Sequence, residues 1–96
     1  MRMTKEEAAA IAGKIADNRA KCDKYYQCMK NANSEGAFER ATRYANRVVE
    51  LDAELKGIQY VLFAGDYEAR KIGGKWCVMA KSTWDALYSI KGRAVD

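Results

Sequence analysis

Residues 37–62 read AFERATRYANRVVELDAELKGIQYVL, and they decide the fold. Ala37, Ala41, Tyr44, Val48, Leu51, Leu55, Ile58 and Leu62 recur in alternating four- and three-residue steps without a miss. At 3.6 residues per turn that spacing gathers them on one side of a helix, and it predicts one helix over residues 35–64. Gly57 lies inside the run and weakens a helix by roughly 1 kcal/mol relative to alanine, but the stripe continues through it. The chain contains no proline to break the helix. Gly65 is placed to close it as a left-handed cap.

Upstream, Thr4 and Glu7 have the spacing of a capping box, which predicts a helix start. Ala8, Ile11, Ile15, Cys22, Tyr25, Met29 and Ala32 then form a seam that only Asn18 interrupts. A helix over residues 5–30 would be about 39 Å long. Lys30-Asn31-Ala32-Asn33-Ser34 is the expected turn, because Asn tolerates left-handed backbone and Ser34 can cap the next helix. A short turn between helices of matching length makes them antiparallel neighbours.

Downstream the period changes. Tyr67–Ile72 and Lys75–Met79 flank Gly73-Gly74, a two-residue link suited to the primed turns of a β-hairpin. In that register Lys71 faces Trp76 and Ala69 faces Val78. Tyr67, Ala69, Trp76 and Val78 then share the face expected to pack on the helices, opposite Glu68, Arg70, Lys75 and Cys77. Ser82 can cap a last helix whose apolar face is Trp84, Leu87 and Tyr88, with Gly92 ending it. The expected fold class is therefore α+β, mainly α. It is one domain over residues 1–96: a long antiparallel two-helix hairpin (5–64), a β-hairpin (66–80), a short C-terminal helix (82–91) and a tail (92–96).

Composition narrows the function. A 96-residue chain buries only about 60–65% of the surface its unfolded form exposes. The net charge of +4 permits an anionic partner without requiring one. No stretch is apolar enough to span a membrane. The opening Met1-Arg2-Met3-Thr4-Lys5 carries charge where a signal peptide needs an apolar core. A cytoplasmic protein that does not engage membranes is expected, and three cysteines fit buried, reduced thiols there.

Catalytic patterns are weak. The chain lacks histidine, the usual acid–base group and commonest metal ligand. Cys22 and Cys28 are six apart on a helix, which does not suit zinc. Glu50 and Glu54, with Asp52 between them, read more simply as a solvated acidic face than as a catalytic pair. Cys77 has no base assigned to it. Gly73-Gly74-Lys75 lacks the upstream glycine and the following Ser or Thr of a phosphate loop. No enzyme, metal or cofactor is expected.

Charge placement is the strongest functional signal. Arg40, Arg43 and Arg47 lie along one side of the second helix. In an antiparallel hairpin they come level with Lys21, Lys24 and Lys30, with Tyr25, Tyr26 and Tyr44 interleaved. Arginine beside aromatic rings suits phosphate and base contacts. The ordinary alternative is a helix surface of mixed charge, including a four-apart Glu39–Arg43 pair. A second signal is unfinished burial, since Tyr26, Phe38, Val49, Val61 and Phe63 fall off the stripes. A homodimer with a four-helix arrangement would cover them.

Two functions follow. The first is a non-catalytic protein-interaction module. By analogy of size and composition alone, it resembles small phage or mobile-element proteins that inhibit bacterial defence proteins. The alternative is a nucleic-acid- or nucleotide-binding protein that uses Arg40, Arg43, Arg47, Lys21, Lys24, Tyr25, Tyr26 and Tyr44.

Overall fold

The computed structural model describes residues 3–87. Helix α1 spans Lys5–Ser34 and helix α2 spans Phe38–Ala64. Strands β1 (Tyr67–Ile72) and β2 (Lys75–Ala80) follow, and a short helix α3 covers 81–87. This is the α+β, mainly α order read from the sequence. Among the described residues no helix is long and apolar enough to cross a membrane. Tyr88, Gly92 and the tail lie outside the described residues.

The chain forms two compact units, Lys14–Ile58 and the segments before and after it. Both long helices are continuous across the boundary.

Within Lys14–Ile58 the helices make the expected antiparallel hairpin. Ile15, Cys22, Ala32, Ala41 and Leu51 are its buried apolar residues, and burying a side chain such as Ile15 or Leu51 contributes about 1.5–3 kcal/mol. Every stripe position of α2 is buried or half-buried, whereas Arg40, Arg43 and Arg47 are exposed. Asn18, the polar interruption in the α1 seam, is only 3% exposed. Its side-chain amide donates to the Leu51 carbonyl at 2.9 Å, and its oxygen accepts from Arg19 Nε and Nη2 at 3.0 and 2.8 Å. Arg19 also pairs with Asp52 at 2.9 Å. A buried polar residue satisfied in this way holds two helices in one register, because sliding α2 past α1 would orphan its amide.

The turn lies later than expected. Helix α1 continues through Lys30–Ser34 and stops where Gly36 takes φ +76°. Ala37 N–H donates to the Ala32 carbonyl at 2.8 Å and Gly36 N–H to Asn33 at 3.1 Å. This is a Schellman closure, which a glycine enters without Cβ strain. Asn31 and Asn33 stay helical, and Ser34 ends α1 instead of capping α2.

In the other unit, the Thr4 hydroxyl accepts from Glu7 N–H at 3.1 Å and the Glu7 carboxylate from Thr4 N–H at 3.5 Å, closing the capping box. The left-handed residue after α2 is Asp66 (φ 63°), not Gly65. β1 and β2 pair antiparallel in the expected register, Ala69 with Val78 and Lys71 with Trp76. Both turn glycines have positive φ, 56° and 80°, as a type I′ turn requires. Val78 is buried on the expected face. Trp84, 1% exposed, donates its indole N–H to the Glu68 carbonyl at 2.8 Å, and the Arg70 guanidinium lies 5.5 Å over its ring. Through Trp84, helix α3 reaches the Arg70 side chain, on the strand face opposite Val78.

Candidate anion-binding cleft

Helix α2 supplies most of the candidate site. Spacings of three and four bring Arg40, Arg43 and Arg47 to one side of it. Tyr44 lies on the adjoining half-buried stripe, and Tyr25 comes from the facing seam of α1. The two tyrosine rings meet at 6.1 Å with a 34° tilt, within the range of a favourable aromatic pair. The Arg47 guanidinium lies 5.4 Å over the Tyr25 ring. These five side chains line one open cleft of about 350 Å³.

The arginines differ in their partners. Arg40 pairs with Glu35 at 3.2 Å and Arg47 with Glu50 at 2.6 Å, both at the exposed surface. The Glu50 hydrogen bond first, and Tyr25 second, hold the Arg47 guanidinium more firmly protonated than usual. Arg43 pairs with no carboxylate among the described residues, so the expected Glu39–Arg43 pair does not form. The centre of the row thus presents an uncompensated positive charge between two compensated ones.

Of the eight residues singled out in the sequence, Tyr25, Arg40, Arg43, Tyr44 and Arg47 converge here. Lys21, Lys24 and Tyr26 do not line the cleft. Tyr26 is 47% exposed and carries the Lys30 ammonium 5.1 Å from its ring centre. Being level along the axis is not enough to reach the cleft. A residue one position from the seam is turned about 100° around the helix.

The sequence placed Cys22 on the buried seam, but it did not reveal the Cys22–Asp52 contact or a second cavity. Cys22 is buried, its thiol 3.7 Å from the Asp52 carboxylate. Burial first, and then the nearby negative charge, push the thiol pKa up against the opposing pull of Arg19, so it stays protonated and unreactive. The Arg19 hydrogen bond holds the Asp52 carboxyl below its ordinary value. A separate cavity of about 530 Å³ is lined by Asp66, Tyr67, Lys81, Ser82 and Asp85, among others. Its charges are mixed, so it selects no ion by sign. The signal that could have located it is the Gly65-Asp66 bend, where an aspartate replaces glycine as the left-handed residue.

Among the described residues no group of three or more Cys, Asp or Glu side chains is placed to hold a metal ion. Comparisons with family models, curated proteins and solved structures found no match.

Proposed function

We propose that this protein is a non-catalytic binding module that takes a phosphate-bearing ligand, nucleic acid or nucleotide, in the Arg/Tyr cleft of the helical hairpin. The observation that carries this reading is the convergence of three arginines and two tyrosines on one cleft. Guanidinium groups offer forked donors to phosphate oxygens, and the rings offer a flat apolar surface to a base. A gel shift with mixed RNA and DNA tests it. Binding should weaken steeply with salt, because bound phosphates release counterions, and charge reversal of both Arg43 and Arg47 should abolish it. Flat salt dependence, or unchanged binding by the double variant, refutes the reading.

Exposed apolar side chains support a second reading, docking to a protein. Phe38, Val49, Tyr60, Val61 and Phe63 are all 60% exposed or more, and apolar surface of this kind favours association. The partner on this reading is a second copy of the chain or a bacterial defence protein inhibited by a phage-encoded module. Light scattering across a concentration series decides the first, since a mass fixed at one chain excludes self-association.

A further inference from the structure

Resting on the phosphate-ligand reading, we infer that the cleft accommodates single-stranded nucleic acid: one unpaired base lies against Arg47 and the tyrosines, and two or three flanking phosphates lie along the arginine row.

The site's dimensions favour a strand over a duplex. Arg40 and Arg47 are seven residues apart, about 10.5 Å along the helix, which is room for only a few phosphates. The carboxylates of Glu35 and Glu50, paired with the outer arginines, bracket the row at its ends. A duplex lying along α2 would carry its phosphates onto both acids. A short kinked strand presents its phosphates only to the interval between them, where Arg43 is uncompensated.

The aromatic groups point the same way. A duplex hides its base faces in the stack, so Tyr25 and Tyr44 would gain nothing from it, whereas an unpaired base exposes a π-face. The tyrosine rings meet as a tilted pair with centroids 6.1 Å apart, too close to admit a base between them. The flat surface available to a base is the Arg47 guanidinium, held over Tyr25, together with the open side of the rings. A volume of about 350 Å³ is at the small end for ligand pockets and suits one planar group with its sugar. A nucleoside monophosphate would fill that volume but, with a single phosphate, would leave part of the arginine row unoccupied.

The test is fluorescence anisotropy on the full chain at several salt concentrations from about 50 to 200 mM. The probes are a labelled single strand of about twelve nucleotides, the same sequence as a duplex, and a mononucleotide as competitor. The single strand should bind at least about tenfold tighter than either, with a log–log salt slope of about −1.4 to −2.1 for two or three phosphates. Arg43→Ala should reduce the slope by about 0.7. Arg47→Lys keeps the charge but loses the planar stacking surface, so it should weaken the strand and leave the slope unchanged. Tyr44→Leu should cost about five- to hundredfold, with circular dichroism to verify folding. If Tyr44→Leu fails to fold, the exposed Arg47→Lys decides alone. A duplex that binds as tightly as the strand, a mononucleotide that matches it, or an Arg47→Lys variant that binds normally overturns this inference while leaving a phosphate cleft in place. If no phosphate-bearing probe binds at the lowest salt, the phosphate-ligand reading itself fails.

Discussion

At the scale of single residues, the phosphate-ligand reading requires that the exposed carboxylates around the cleft act against binding. Glu50 holds the Arg47 guanidinium at 2.6 Å, so its charge competes with a phosphate that approaches that end of the row. Surface ion pairs are weak, so Glu50→Gln should raise affinity for an anionic ligand by about two- to fivefold, read by the same anisotropy titration, whereas a purely structural pair would leave affinity unchanged. Asp52 behaves differently, because its partner Arg19 also holds Asn18. Its folded pKa lies below its unfolded value. The stability it adds is therefore complete above the unfolded value, near pH 4, and is lost as pH falls through the folded one. Asp52→Asn should lower the melting temperature at pH 7 and should lose less on acidification below about pH 4 than the parent. Melting curves from neutral to acidic pH check this, and parallel curves for the two proteins would contradict it.

At the scale of elements, two glycines of similar appearance should respond with opposite signs. Gly57 sits inside α2, and a Cβ there meets nothing within 4 Å. Gly57→Ala should stabilise by about 1 kcal/mol, raising the melting temperature by about 4–8 °C for a chain of this size. Gly36 also has open space, but its φ of +76° is what closes α1. Gly36→Ala should therefore destabilise by about 1–2 kcal/mol. The same contrast explains what was legible in the sequence. The α2 stripe, the Thr4–Glu7 box and the Gly73-Gly74 register each follow from a local rule that nothing distant overrides. The end of α1 did not, because Asn31, Asn33 and Ser34 carry turn chemistry that the chain leaves unused in favour of Gly36. Gly65 looked like a cap for the same local reason, but the left-handed position falls one residue later, on Asp66. Within the cleft, residues on the helix stripe and the arginine row were found by spacing. Lys21, Lys24 and Tyr26 do not line the cleft, because position along an axis says nothing about direction around it.

At the scale of the whole molecule, both long helices run without interruption from one compact unit into the other. Melting one unit ends each shared helix at the boundary and costs the backbone hydrogen bonds that cross it. Natural reporters separate the two. Trp76 and Trp84 both belong to the unit with the β-hairpin, so tryptophan fluorescence follows that unit alone, whereas far-ultraviolet ellipticity follows α1 and α2 along their whole length. Leu51 is buried in the other unit, and Leu51→Ala should cost about 2–5 kcal/mol through lost burial and the cavity it leaves. If helix continuity couples the units, the fluorescence and ellipticity transitions coincide in the parent chain and move down together in Leu51→Ala, although the substitution touches neither tryptophan. A variant whose ellipticity melts early while its fluorescence transition stays at the parent temperature would show instead that the hairpin unit stands without its neighbour. In that case the arginine–tyrosine cleft, which lies wholly within Lys14–Ile58, would depend for its geometry on the Asn18–Leu51 register lock and the local seam alone.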